Sequence, residues 1–178
     1  MNVAEWILAN AQTLRDKPAL RLPGETWTYA GFARRIDEAA ALLAALGVAR
    51  GDAVAWLSLN SGRMLATLFA CARLGAMFVP INWRLAPPEH RAMLAECQPA
   101  LLVVDDPFTG DSAALPIAPA GTRCVALGAT VPRGWAGWDE LSEHAAPGAA
   151  AGAAPGDDAA LLLCYTSGST GKPKGVVL

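Results

Sequence analysis

The feature that most constrains the fold is a series of short apolar runs set between stretches of helical periodicity. Ala53–Ser58, Ala76–Pro80 and Leu101–Val104 are apolar almost throughout, the pattern of strands buried on both faces rather than of strands with one wet side. Phe32, Ile36, Ala40 and Leu43 precede the first run at helical spacing, and Met64, Leu65, Leu68 and Cys71 precede the second. Strands alternating with helices in this way build parallel βαβ units with helices covering the sheet. The expected fold class is therefore α/β, a mostly parallel sheet flanked by helices.

Punctuation residues sharpen the element boundaries. Ala19–Leu22, the Pro23-Gly24 turn and Thr26–Tyr29 read as a short β-hairpin. Thr28 is placed to cap the first long helix, without the glutamate of a capping box because Gly31 stands there. Gly47 should end that helix. Asn60 or Ser61 caps the next, which ends at Gly75. Pro87 and Pro88 suit the first turn of a helix reaching to about Gln98-Pro99. The strand–helix order holds over residues 1–105. In the region 106–156, Arg123–Leu127 reads as one more strand and Trp135–His144 as a short helix or a loop. Ala145–Gly156 is an Ala/Gly/Pro-rich connector, expected to be partly mobile. Residues 157–178 return to order: Ala159–Tyr165 is a strand, Gly175–Leu178 starts another, and a polar glycine-rich loop joins them.

Charge and cysteine content exclude several functions. Fourteen Lys plus Arg stand against 16 Asp plus Glu, a net charge of −2, and the basic residues are scattered, so no nucleic-acid surface is expected. Cys71, Cys97, Cys124 and Cys164 form no CxxC pair, and with His90 and His144 they make no zinc pattern. They read as buried apolar residues in a reducing compartment, and no metal ligands are expected. The N-terminal residues lack a signal-peptide pattern, and the apolar runs Ala39–Ala49 and Leu65–Ala72 fall short of the ~18 residues of a membrane span. A cytoplasmic location is the expectation.

The chemistry lies between Tyr165 and Gly175, Tyr-Thr-Ser-Gly-Ser-Thr-Gly-Lys-Pro-Lys-Gly. Glycines at 168, 171 and 175 would permit positive φ and let backbone N–H groups converge on an anion. Thr166, Ser167, Ser169 and Thr170 add short hydroxyl donors, and Lys172 or Lys174 adds a compact positive charge. A plain hairpin turn competes with this reading, but two lysines, Pro173 and an apolar strand feeding in favour phosphate binding. A Walker A loop does not fit. Gly171-Lys172 is followed by Pro173, the residue five before Gly171 is Thr166, and the chain runs on as a strand rather than a helix.

Taken whole, Tyr165–Gly175 resembles the signature loop of the adenylate-forming superfamily, which includes acyl-CoA synthetases, peptide-synthetase adenylation domains and luciferases. Trp27-Thr28-Tyr29, Gly51-Asp52 and Gly75-Ala76 before Val79-Pro80 agree with that pattern, and Pro80–Leu85 looks most like the fatty-acyl-CoA ligases. The resemblance implies that residues 1–178 are the N-terminal portion of an AMP-binding domain, ending in a strand–loop–strand phosphate loop. It implies ATP, Mg²⁺ and CoA as cofactors and co-substrates, and a small-molecule carboxylate that becomes an acyl-adenylate and then a thioester. Thr166, Ser167, Gly168, Ser169, Thr170, Gly171 and Lys174 are the implied cofactor-binding residues, holding the β- and γ-phosphates, while Lys172 is a solvated charge. Ala86 stands where relatives place a Ser or Thr cap, a cost of about 1 kcal/mol to its helix. Asn82 and Arg84 belong to an irregular loop stapled by a side-chain amide.

The same resemblance places the adenine, magnesium and carboxylate groups and the catalytic lysine after this loop. The expectation is thus of no catalytic residue in the chain, no activity of the chain by itself, and self-association or homo-oligomer formation through the apolar Val176–Leu178 edge. A peptide-synthetase adenylation domain and a non-catalytic nucleotide-binding or interaction module are the alternative readings.

Overall fold

Five consecutive buried residues, Ala53–Leu57, form an interior strand of the sheet, as expected of an apolar run without alternation. The computed structural model describes residues 3–109, 118–145, 156, 159–166 and 174–178. In chain order the elements are α1 (Val3–Thr13), β1 (Pro18–Leu22), β2 (Glu25–Thr28), α2 (Tyr29–Ala45), β3 (Ala53–Leu57) and α3 (Gly62–Leu74). They continue with β4 (Met77–Pro80), α4 (Pro87–Cys97), β5 (Leu101–Val104), β6 (Arg123–Ala126), β7 (Ala136–Gly137), α5 (Trp138–His144), β8 (Leu163–Thr166) and β9 (Lys174–Val177).

Strands β4-β3-β5-β6-β7 make one parallel sheet in that order. The fold is the α/β arrangement expected. The predicted hairpin is β1–β2, antiparallel with Leu22 opposite Glu25. Thr28 caps α2 by accepting from the Gly31 N–H at 3.1 Å, and Ser61 caps α3 by accepting from Met64 N–H. Gly75 ends α3 at φ 68°, a left-handed conformation that glycine adopts without a Cβ penalty.

One core lies between the sheet and α2, α3 and α5. It includes Leu42, Leu43, Val54, Trp56, Cys71, Phe78, Val103 and Trp138. Trp56 is wholly buried, meets Trp138 edge-on at 5.6 Å, and donates its indole N–H to Ser58 Oγ. A second core on the opposite face packs Met93 and Leu94 of α4 against Ala55, Leu57, Val79 and Leu102. Trp27 and Leu22 of the β1–β2 hairpin press on the start of α3 so closely that a Cβ on Gly62 would stand 2.3 Å from Trp27.

Several details depart from the sequence reading. Helix α1, unassigned from the pattern, packs on α2 and α3. The sheet gains the two-residue strand β7, while Trp138–His144 takes the helical one of the two forms expected for that stretch. Of the cysteines only Cys71 is fully buried; Cys97, Cys124 and Cys164 are half-buried free thiols. Residues 146–155 of the predicted connector lie outside the described residues. Among the described residues no helix is long and apolar enough to cross a membrane.

Candidate phosphate-binding loop

Strands β8 and β9 pair antiparallel, with Leu163 opposite Val177, Cys164 opposite Val176, Tyr165 opposite Gly175 and Thr166 opposite Lys174. The glycine-rich segment is thus carried on a strand–loop–strand. Leu162 bridges Phe78 in parallel, and the Phe78 N–H donates to the Leu161 carbonyl at 2.7 Å. Since β8 runs with β4, it delivers the loop toward the carboxyl end of the parallel sheet, the end at which open α/β sheets bind ligands.

Thr166 and Lys174 flank the mouth of the loop, both exposed, and the Thr166 hydroxyl donates to the Lys174 carbonyl at 3.4 Å. Ser167, Gly168, Ser169, Thr170, Gly171, Lys172 and Pro173 lie outside the described residues. Gly175 is described, and it corrects one expectation. It sits in extended β9 and is absent from the positive-φ glycines. Its role is spatial, because a Cβ there would come within 2.8 Å of Leu163 Cδ1 and 3.5 Å of Tyr165 Cε1.

Beneath the stem lies α4. Tyr165 donates its hydroxyl to the Met93 carbonyl at 3.2 Å. Burial, then the neighbouring Cys97 and Glu96, push the Tyr165 phenol above its ordinary value, so it remains a protonated donor. Burial likewise raises the Cys97 thiol to about 11. Sequence reasoning placed Tyr165 in the motif without a contact, because its partner is a main-chain carbonyl 72 residues away.

The segment between β4 and α4 sits at the same end of the sheet. Asn82 Oδ1 accepts from the Arg84 N–H at 3.1 Å, the expected amide staple. His90 of α4, buried, meets the Asn82 carbonyl through Nε2 at 2.9 Å. Ala86 makes no side-chain cap, as expected, yet the Glu89 carboxylate accepts the Ala86 N–H at 2.8 Å, so half of a capping box survives. A cavity of about 420 Å³ opens among Trp56, Ser58, Asn60, Pro80, Trp83 and Arg84. No group of three or more His, Cys, Asp and Glu that could hold a metal ion occurs among the described residues.

The chain belongs to the AMP-binding enzyme family, which it matches over residues 7–178. It is 45% identical to an indoleacetate–CoA ligase of Aromatoleum aromaticum, over 100% of this chain and 35% of that one. An anthranilate CoA ligase solved with anthranoyl-AMP is 26% identical with a TM-score of 0.84, across 99% of this chain and 34% of that structure. A benzoate CoA ligase from Burkholderia xenovorans, 22% identical, shares the fold with a TM-score of 0.82 over 99% of this chain and 34% of its own. The chain spans about a third of the length of the curated relatives it matches.

Proposed function

We propose that the chain is the first part of an AMP-forming carboxylate–CoA ligase, in which residues 166–174 hold the β- and γ-phosphates of ATP. The observation that carries this reading is the β8–β9 hairpin, which sets the exposed Thr166 hydroxyl and Lys174 ammonium at the two ends of a glycine-, serine- and threonine-rich loop. A threonine hydroxyl and a lysine ammonium suit phosphate oxygens. Ser167, Gly168, Ser169, Thr170 and Gly171 complete the proposed cradle. Its work is to bind and orient the triphosphate, so that the α-phosphorus faces the attacking carboxylate.

Magnesium, when bound, offsets triphosphate charge. It keeps several waters and takes few protein ligands, which fits a loop whose donors serve the phosphates. In the first step the carboxylate attacks the α-phosphorus and pyrophosphate leaves, giving an acyl-adenylate; the CoA thiol then takes the acyl group and releases AMP. Arylacetic and other aromatic acids are the first carboxylates to try, given the similarity to an indoleacetate–CoA ligase and an anthranilate CoA ligase. The ligase is proposed to act in the cytoplasm. Self-association of the 178-residue chain is proposed through Val176, Val177 and Leu178, all exposed; light scattering that shows only monomer at high concentration contradicts it.

Phosphate binding is tested by ³¹P NMR titration of inorganic tripolyphosphate, with magnesium, against the chain and its Lys174→Ala variant. Saturable broadening that weakens in the variant supports the reading. Equal behaviour of the two chains removes Lys174 from the site.

A further inference from the structure

The β8–β9 hairpin is held to the main sheet near its base, through Leu161 and Leu162 against Phe78. Higher up, where the phosphate loop departs, the contact is with α4. Leu163 and Tyr165, two residues apart and so on one face of β8, both join the core on the α4 side. Tyr165 bonds the Met93 carbonyl and lies beside the Cys97 thiol. Across the hairpin, Gly175 is so close to α4 that a Cβ there would stand 3.7 Å from Glu96 Oε1. The same helix carries His90, whose Nε2 meets the Asn82 carbonyl, and Glu89, which accepts the Ala86 N–H. Helix α4 therefore meets the upper hairpin stem at Tyr165 and Gly175, and the 82–86 segment at its own start.

We propose that Tyr165 is a positioning residue: its hydroxyl, bonded to the Met93 carbonyl, fastens the upper hairpin stem to α4 and so fixes the phosphate loop relative to the 82–86 segment. The proposal rests on the reading that residues 166–174 bind phosphate. The geometry assigns Tyr165 no contact with substrate; it acts through the backbone that it holds. A hydroxyl is required, because a phenylalanine ring would fill the same space against Cys97 and leave the Met93 carbonyl without this donor. Gly175 leaves room beside it, because a Cβ there would stand 2.8 Å from Leu163 Cδ1 and displace that side chain.

Hydrogen exchange of the 178-residue chain, read by mass spectrometry with and without inorganic tripolyphosphate and magnesium, tests this. The chains compared are wild type, Tyr165→Phe and, as control, Tyr29→Phe. In Tyr165→Phe, exchange over 163–166 and 174–177 should quicken about tenfold, the effect of losing one partly buried hydrogen bond, while β3 and β5 keep wild-type rates. The tripolyphosphate concentration that half-protects those segments should rise by about the same factor. The Tyr29 variant should match wild type in both respects. Unchanged stem exchange overturns the proposal, as does acceleration spread equally through β3 and β5. Protection by tripolyphosphate that is present and equal in wild type and Tyr165→Phe also overturns it, and leaves the phosphate reading standing. Absence of protection in wild type sinks the phosphate reading itself, and the positioning role with it.

Discussion

At the scale of single residues, Lys174 and Gly175 are neighbours in β9 with unrelated tasks. Lys174 is exposed at the mouth of the loop, where the proposed function has it meet phosphate. A hydrogen bond to a charged group contributes about 1.5–3 kcal/mol, so Lys174→Ala should weaken triphosphate binding roughly 10- to 100-fold, measured by titration, with no change in thermal midpoint. Gly175 acts through space alone. Gly175→Ala forces Leu163, which is buried, to shift from 2.8 Å, and should cost about 1 kcal/mol in urea unfolding. The sequence marks Lys174 as a candidate because its charge stands beside glycines and hydroxyls, and the structure adds that it is exposed at the end of the β8–β9 hairpin. The sequence misassigned Gly175 to positive φ, because glycine serves two physical ends and only the packing around it tells them apart. Tyr165 was unreadable for a related cause: hydrogen bonds to distant main-chain carbonyls leave no pattern in side-chain identity.

At the scale of elements, α4 touches both the β8–β9 hairpin and the 82–86 segment although its own start is imperfect. Ala86 has extended backbone, φ −73° and ψ 153°, and accepts no N–H through its side chain, while Glu89 supplies the return bond. Ala86→Ser should complete the capping box and stabilise the chain by about 1 kcal/mol, read as a rise in the urea midpoint. A fall in the midpoint would show that the hydroxyl disturbs the Asn82–Arg84 staple instead. The caps of α2 and α3 and the apolar strands β3, β4 and β5 were legible because each rests on a local signal. Helix α1 was not, since Val3–Thr13 carries apolar residues without a clear face or a flanking cap. Strand β7 has only two residues and borrows its pairing from Val125 and Ala126, which no local window can contain. Strand β8 runs from Leu163, and Leu161 and Leu162 extend its pairing through hydrogen bonds with Leu178.

At the scale of the whole molecule, two cores share one sheet and several acidic protons are buried in them. Burial raises the thiols of Cys71, Cys97 and Cys124, with Cys97 reaching about 11 from an ordinary value of 9.0, and it raises the Tyr165 phenol. Each group is held neutral in the folded chain and ionises more readily in the unfolded one. Their contribution to stability is therefore complete below about pH 9 and is lost as pH climbs toward 11 and beyond. The urea midpoint should fall steadily over that alkaline window, and Cys97→Ser should shallow the fall. A midpoint that holds level from pH 9 to 11 would contradict the burial of these groups.

Whether residues 166–174 serve carboxylate adenylation, as proposed, is read from the products formed by the longer protein of which this chain is proposed to be the first part. With MgATP, CoA and a panel of aromatic and aliphatic carboxylates, carboxylate-dependent release of AMP and pyrophosphate in equal amounts is expected, with Lys174→Ala raising the ATP concentration required. Release of ADP and phosphate, or AMP formation indifferent to both carboxylate and Lys174, would contradict the proposal.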